Sequence, residues 1–498
     1  MSHPQPEPYD LLGVGIGPFN LSLAALADGV EGFSSLFCEA RAEFRWHPGM
    51  LVDGARMQVP FLADLVSLVD PTSPWSFLNH LRDQERLFPF YFAERFQLSR
   101  AEYDHYCRWA AERLANCRFG TPVRAVHWAA DEELFRVELP HGEVWARNVV
   151  LGVGTRPTVP EPFIALRGHP RIWHSAEYLE RRGSLAGARD ITVLGPGQSG
   201  AEVFLDLLRA RAGDGTRLRW LTRTRALAPM GYSKLGLEHF TPDYTRYFHT
   251  LPEPVRDALV PRQWQLYKAA SAETLAAVHE ALYERTTAGS GAGVEIVPGT
   301  EVLSAGAADG GGLELHCAHR QSDDQYALRT DLVVLATGYA ARRPALLDPV
   351  HDLVDWDVRG RYRIGLDYRV GLRPVSPPPC TCRTPSCTRT ESARPISVSA
   401  PTALPSSSTP CAPRCSAQPC TGCRSRRPGP PTAAPAARWT YPWTSAWVRG
   451  RWAQPRDRNT RCTPPLKALQ PWFAPDILPS ATLGSALWMI NFRCLPSR

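Results

Sequence analysis

Along the first 340 positions, apolar residues fall into short unbroken runs closed by glycine, interspersed with stretches where they recur every three to four positions. Runs of the first kind suit strands buried on both faces of a parallel sheet, and the second kind suits amphipathic helices. Asp10-Leu-Leu-Gly13-Val-Gly15-Ile-Gly17-Pro18-Phe-Asn20 reads as strand, glycine turn and first helical turn, and the next run, Ser34-Ser-Leu-Phe-Cys-Glu39, ends in an acid. Tyr103, Tyr106, Trp109 and Ala110 then share a helical face, which predicts a helix from Phe92 to Leu114. Strands are expected at 123–128, 134–139 and 143–151. The run Gly152-Val-Gly154-Thr-Arg-Pro157-Thr-Val-Pro160 carries the chain out of the first domain. A second strand, glycine turn and helix follow in Asp190-Ile-Thr-Val-Leu-Gly195-Pro-Gly197-Gln198-Ser199-Gly200-Ala-Glu202, and its next strand, Leu218–Thr222, runs into Arg223 and Arg225. Residues 230–287 read as mostly helical, with a long helix from about Pro261 to Thr286. Strands return at 294–298, 301–303 and 313–316, and the buried run Thr330–Tyr339 is expected to rejoin the first sheet. The fold class implied is α/β, with two nested Rossmann-like dinucleotide-binding domains and a small helical segment.

The repeated glycine turn gives the chemistry. Glycines let the backbone approach a pyrophosphate closely, and the helix behind supplies N–H groups and a partial positive charge. One such turn is weak evidence; two in one chain, followed by different residues, say more. Glu39 stands where an acid meets a ribose hydroxyl, whereas an arginine at 223 can accommodate a 2′-phosphate, unless Arg223 and Arg225 are ordinary surface residues. FAD at the first turn and NADPH at the second are therefore expected. Between them, Phe44-Arg-Trp46-His47-Pro48-Gly49-Met50, Met57-Gln58-Val-Pro60-Phe61-Leu62-Ala63-Asp64 and Asp70–Leu78 mix aromatics, prolines and polar groups. Such a mixture suits a loop-rich wall over a planar ring; the alternative is ordinary core aromatics. The boundaries expected are a flavin domain over 1–160, an inserted NADPH domain over 161–305 with its helical substrate segment at about 230–290, and a return to the flavin domain over 306–370.

Charge and cysteine content change the picture only after residue 370. The formal charge is +7, yet 17 of the 56 lysines and arginines and 3 of the 49 acids lie beyond that point, so the first 370 residues carry −7 and nucleic-acid binding does not follow. Nine of the 13 cysteines lie there too. Those before it, Cys38, Cys107, Cys117 and Cys317, form no Cys-x-x-Cys pair, which leaves no visible dithiol centre, and no metal-ligand cluster stands out. The N-terminus lacks a basic, apolar leader and no run reaches the length of a membrane span, so no membrane partner and a cytoplasmic location are expected.

With these residues in view, the chain resembles the N-hydroxylating flavin monooxygenases of siderophore biosynthesis from about Tyr9 to Tyr368. The carriers are Gly13-x-Gly15-x-Gly17-Pro18-x-Asn20, Trp46-His47-Pro48-Gly49-Met50, Met57-Gln58, Gly195-x-Gly197-Gln198-Ser199-Gly200-Ala-Glu202, Phe240-Thr-Pro-Asp-Tyr244 and Ala336-Thr337-Gly338-Tyr339. The resemblance implies that NADPH reduces FAD, that O2 adds at the flavin C4a, and that the hydroperoxide passes an oxygen atom to an unprotonated terminal amine. It places Gln58 beside flavin and substrate and makes Arg223 the NADPH contact. Glu39, Trp46, His47, Ser199, Thr337 and Gly338 join the two glycine turns as cofactor-binding candidates. In ornithine-type relatives a lysine that pairs with the substrate carboxylate stands where this chain has Ala63, and a substrate-binding asparagine stands where it has Leu237. A buried carboxylate without its partner costs several kcal/mol, on the order of 3–5. A diamine, putrescine or cadaverine, is thus expected over lysine or ornithine. The rival readings are a catalytically defective flavoprotein and, disfavoured by the Trp46–Met50 and Met57-Gln58 motifs, a flavin monooxygenase acting on sulfur or a ketone. Beyond the small amine, the one partner left open is a second copy of the chain.

After about Val370 periodicity vanishes and 23 of the 47 prolines crowd into the last 128 residues. Three readings are a disordered basic tail, a zinc site at Cys411-x3-Cys415-x4-Cys420-x2-Cys423, and a shift of reading frame, in the gene or in its sequencing, between roughly 368 and 380. The third is favoured. Written in GC-rich codons and read one base out of register, Cys380–Glu391 becomes Val-Tyr-Val-Gln-Asn-Ala-Glu-Leu-His-Thr-His-Gly, which is the segment the resembled family has beside its flavin. In the same register, 392–413 can give Val-Gly-Ala-Pro-Asp-Leu-Gly-Leu-Gly-Ala-Tyr-Arg and then Leu-Asn-Ala-Leu-Cys-Ala. A chain made as written is then expected to lack the flavin domain's last strand and closing helix.

Overall fold

The computed structural model describes residues 7–373, apart from 212, 232, 288–292 and 342, and the strand Trp488–Ile490. The candidate zinc cysteines and the segment 374–487 lie outside the described residues.

Two sheets carry the glycine turns, the second wholly parallel and the first parallel but for one edge strand. In the first, the order is Trp488–Ile490, Val149–Leu151, Leu11–Val14, Ser35–Cys38, Cys117–Arg118. Leu11–Val14 is buried along its whole length, as a central strand covered on both faces must be. On one face, helix Pro18–Asp28 packs with Phe44, Trp46, Phe77 and the Tyr103, Tyr106, Trp109, Ala110 stripe of helix Arg100–Arg113. On the other, Val126, Phe135 and Val137 of a three-stranded antiparallel sheet meet Leu347, Val350, Val354 and Val370. The outer edge of Val149–Leu151 pairs antiparallel with Trp488–Ile490, so a short strand from the far end of the chain occupies an edge expected to be bare.

The second sheet has the order Ile172–His174, Leu332–Leu335, Asp190–Leu194, Arg217–Leu221, Val294–Val297, all parallel. Helix Gln198–Ala210 buries Val203, Phe204, Leu207 and Leu208 on Ile191, Val193, Leu218 and Trp220. The chain crosses between the sheets twice, and the crossing strands Thr155–Pro157 and Tyr339–Ala341 pair with each other.

Four sequence expectations change. Leu332–Leu335 lies in the second sheet, not the first, so the chain rejoins the flavin side only after Tyr339 rather than at 306. A strand buried on both faces carries no mark of which sheet it joins; Asp331 settles the matter, its carboxylate accepting from the Arg189 and Asp190 N–H groups at 2.7 and 3.0 Å. The helix expected at 92–114 starts at Arg100, because Gln97–Ser99 pairs with Arg56–Pro60 and the Ser99 hydroxyl caps the Glu102 N–H. The helix expected from Pro261 starts at Ala272, after Glu253–Arg262 and Trp264–Tyr267. The run 143–151 breaks into Gly142–Ala146 and Val149–Leu151 in different sheets, with the Asn148 amide between them donating to the Asp10 carbonyl at 2.7 Å.

Candidate functional site

Both glycine turns end a central strand and open a helix whose first turn has no side-chain cap, whereas Ser76, Ser99 and Thr241 cap other helices. Uncapped N–H groups behind a glycine turn are what a pyrophosphate requires. At the first turn Gly15 has φ +86°, and a Cβ there would stand 2.6 Å from the Gly152 carbonyl oxygen. Gly17 is the N-cap and a Cβ on it would meet nothing within 4 Å, so the approach to that helix end is open. The Glu39 carboxylate lies at the same turn, accepting from the Ile16 N–H at 2.9 Å and the Arg41 N–H at 3.0 Å. An acid held at the turn beside an open helix end fits the ribose and pyrophosphate of FAD.

Two residues assigned to this cradle from sequence lie within the strand before the turn and behind it. Gly13 lies within the strand, paired with Phe37 and Val150, and a Cβ on it would run into the Phe37 ring. Asn20 is fully buried, with its amide donating to the Gly15 carbonyl at 2.7 Å and the Val14 carbonyl at 3.3 Å. It shapes the turn from behind. Pro18 occupies the first helical position, where a missing N–H costs nothing.

At the second turn Gly195 has φ +125° and abuts the Ala336 carbonyl, Gly200 abuts the Gly195 carbonyl, and a Cβ on Gly197 would come within 3.0 Å of the Lys268 carbonyl. Arg223 follows the next strand with its side chain 71% exposed and 3.9 Å from Glu301, free to swing toward a phosphate. This set fits NADPH.

A small cavity lies beside the second turn, lined by Trp46, His47, Met50, Arg100, Ser199 and Tyr339. Phe44 and Phe77 are core residues, so of the aromatic wall expected from sequence only Trp46 and His47 reach this cavity. His47, in the left-handed region at φ 45°, has its pKa lowered to about 4 by burial and then by the Arg100 and Arg41 charges. His174, whose ring packs on Tyr339, is likewise lowered to about 4 by burial. Its Nδ1 accepts from the Ala176 N–H, so Nε2 carries the proton and donates to the Gly338 carbonyl at 3.0 Å. Both imidazoles are neutral at physiological pH. Burial raises the Tyr339 phenol to about 12.

Gln58, on strand Arg56–Pro60, is buried, and its Nε2 reaches Gln198 Oε1 at 3.2 Å and Met230 Sδ at 2.8 Å. Gln198 also donates to Glu202 at 2.8 Å and Thr274 at 2.9 Å and accepts from the Ser271 N–H at 2.6 Å. Glu202 meets Arg100 at 2.8 Å. Gln58 Oε1, Arg100 Nη2 and Trp46 Nε1 are buried without a partner. Arg100 and Trp46 line the cavity and Gln58 does not, so two of the three orphaned atoms belong to its wall, which fits a site that a polar ring system completes.

Ala63 and Leu237 are not among the cavity's lining residues: Ala63 lies in the loop after Arg56–Pro60, and Leu237 lies on the turn Gly236–Phe240, 37% exposed. The neighbouring Asp64 is consumed locally by the Val66, Ser67 and Phe77 N–H groups and the Ser67 hydroxyl. Thr337 donates to the Thr158 carbonyl at 2.5 Å and Gly338 takes φ +79°, which fixes the crossing. Arg100, Met230, Ser271 and Thr274 were missed from sequence. Arg100 carried a signal, since a cation at a helix N-terminus opposes the helix dipole and needs a reason, but placing the helix start at Phe92 hid it.

Among the described residues no helix is long and apolar enough to cross a membrane, and no group of histidines, cysteines and acids is arranged to hold a metal ion.

Comparison with known proteins agrees with this geometry. Residues 7–341 match the family model described as L-lysine 6-monooxygenase/L-ornithine 5-monooxygenase. The rhizobactin siderophore biosynthesis protein RhbE of Rhizobium meliloti is 40% identical over 72% of this chain and 82% of its own. The putrescine N-hydroxylase of Shewanella oneidensis is 39% identical over 73% of this chain and 74% of its own. Among solved structures, the FAD-bound cadaverine monooxygenase DfoA of Erwinia amylovora superposes with a TM-score of 0.71 at 38% identity, over 73% of this chain and 86% of that one. The chain belongs to the L-lysine 6-monooxygenase/L-ornithine 5-monooxygenase family, whose members are FAD- and NADPH-dependent enzymes that use O2 to hydroxylate amines for siderophore biosynthesis.

Proposed function

We propose that this chain N-hydroxylates a terminal amine of an aliphatic diamine, putrescine or cadaverine, in the cytoplasm. The observation that carries the reading is the absence of charge at two positions: Ala63 and Leu237 offer no partner to a substrate carboxylate. The identities run the same way, 39% to a putrescine N-hydroxylase and 38% to a cadaverine monooxygenase against 34% to an L-lysine N6-monooxygenase and 33% to an L-ornithine N(5)-monooxygenase. Bound FAD, reduced by NADPH, supplies the activated oxygen. The chain's own residues bind and exclude water: the cradles at Gly15–Gly17 and Gly195–Gly200 hold the two nucleotides, Glu39 and Arg223 take the ribose hydroxyl and 2′-phosphate, and Gln58 offers its unpartnered Oε1 to flavin or substrate. Neutral His47 keeps a second positive charge away from an incoming ammonium group.

The test is NADPH-dependent O2 uptake, scored together with hydroxylamine formation, against putrescine, cadaverine, lysine and ornithine. Tight coupling is expected with a diamine. Coupling with lysine or ornithine and with neither diamine reverses the assignment.

A second reading concerns the chain as written. Its similarity to RhbE and to the putrescine N-hydroxylase leaves 18 and 26% of those proteins unmatched, while 27–28% of this chain is unmatched in turn. A frame shift near residues 368–380 explains both remainders at once. The product would bind FAD weakly and release hydrogen peroxide; DNA sequence across that stretch, and flavin content before and after restoring the frame, test this reading.

A further inference from the structure

We propose that Glu202 is a positioning residue: its ion pair with Arg100 fixes the nicotinamide-side helix against the flavin domain and holds the Arg100 guanidinium facing the cavity between them. The inference rests on the two-cofactor reading of the family. Arg100 begins helix Arg100–Arg113 of the flavin domain, and Glu202 lies one turn into helix Gln198–Ala210 of the second. Arg100 Nη1 meets Glu202 Oε2 at 2.8 Å and the Met50 carbonyl at 3.3 Å, and both side chains are only 4% exposed. Nη2 is buried, has no partner, and belongs to a residue lining the cavity. Glu202 Oε1 accepts from Gln198, which in turn touches Gln58, Ser271 and Thr274. The network thus ties the opening turn of the second cradle to the strand that carries Gln58.

Neither charge is there for stability. A buried ion pair returns little over apolar residues of the same volume, because both charges lose their hydration. Arg100 stands at the positive end of its own helix, where a cation is disfavoured. Burial pushes the Glu202 carboxyl above its usual range, and the Arg100 charge and the Gln198 hydrogen bond work against that push. What the pair supplies is direction: Nη1 is held between Glu202 and the Met50 carbonyl, which leaves Nη2 unpartnered on a residue that lines the cavity.

The experiment compares wild type, Glu202→Gln and the paired Arg100→Met/Glu202→Leu in the full chain. The first removes the charge while keeping a group that can bond Gln198; the second removes both charges and preserves volume, so it folds even where the first does not. In the cofactor-free chain, amide exchange at 99–101 and 199–203 is expected to rise at least tenfold in Glu202→Gln, with exchange at 11–14 and 191–194 unchanged. With cofactors, FAD affinity and the KM for NADPH stay within threefold, while anaerobic flavin reduction at saturating NADPH slows at least tenfold in both variants. Glu202→Asp restores part of the rate. A purely structural role would lower FAD affinity, melting temperature and reduction together. Wild-type reduction rates in either variant overturn the proposal. A wild-type chain whose bound flavin NADPH does not reduce overturns the two-cofactor reading instead, and the exchange measurement still decides the role of Glu202.

Discussion

At the third position of its turn the flavin-side cradle has Asn20 and the nicotinamide-side cradle has Gly200, and each choice is matched by the residue that ends the neighbouring parallel strand. Gly15 and Gly195 are equivalent, each following the central strand at positive φ and each pressed on a carbonyl, of Gly152 in one sheet and Ala336 in the other. Asn20 fits because residue 152 is glycine: a Cβ there would stand 2.5 Å from the Asn20 amide. Gly200 lets the helix close directly on the Gly195 carbonyl, and a Cβ on it would also come within 3.4 Å of the Ala336 methyl. Volume has been exchanged between partners. One turn is braced by a side-chain amide, the other by backbone contact, and the two cannot trade residues singly.

The largest effect expected follows directly. Gly200→Asn forces a side chain onto backbone, with loss of on the order of 4 kcal/mol or outright failure to fold. Gly152→Ala displaces the Asn20 amide and costs about 2–3 kcal/mol through two lost hydrogen bonds and overpacking. Asn20→Gly in the Gly152→Ala background recovers part of that loss, whereas Asn20→Gly alone only destabilises. Urea midpoints of the four proteins check the claim; additive losses in the double variant would break the pairing.

A smaller effect distinguishes the two sides by pH. His47 and His80 on the flavin side and His174 on the nicotinamide side all have pKa values lowered to about 4 by burial, from an ordinary value near 6.5. Between those values the unfolded chain binds more protons than the folded one. Stability is therefore full above about pH 6.5, declines as the pH falls toward about 4, and levels off below. Each imidazole accounts for about 2 kcal/mol between pH 7.5 and 5, so the flavin side loses about twice as much as the other. His174→Gln should flatten the dependence of the urea midpoint by one share, and no change in slope would count against its burial as the cause.

How much of this was legible in the sequence depended on whether a residue's partner lay nearby. The two strand–turn–helix units were readable because their glycines and apolar runs are contiguous. The membership of Leu332–Leu335 was not, since the Asp331 contacts that register it reach back about 140 positions. Gly13 reads as a turn glycine because it belongs to a Gly-x-Gly-x-Gly string; only the strand pairing shows that the turn starts at Gly15. Asn20 and Thr337, cofactor-binding candidates from sequence, also bond backbone carbonyls around them. Arg100 and the Gln198 network were invisible for the opposite reason, being polar residues far apart in the chain that meet only where the two sheets face one another.

The smallest effect lies at the second position that distinguishes the cradles. Glu39 is fixed by two backbone N–H groups at its turn, so its placement survives without a ligand. Arg223 is 71% exposed and its contact to Glu301, at 3.9 Å, is too long and too hydrated to hold it. Its contribution must therefore come from the bound phosphate alone. A charge-assisted hydrogen bond is worth about 1.5–3 kcal/mol, and exposure reduces that, so Arg223→Ala should raise the KM for NADPH about tenfold, leave that for NADH nearly unchanged, and leave the melting temperature where it was. The preference should also fade with added salt, because an exposed guanidinium is screened over about 10 Å at 0.1 M. An unaltered NADPH to NADH ratio in Arg223→Ala would move recognition of the 2′-phosphate to Arg225 and leave the contrast with Glu39 without its second term.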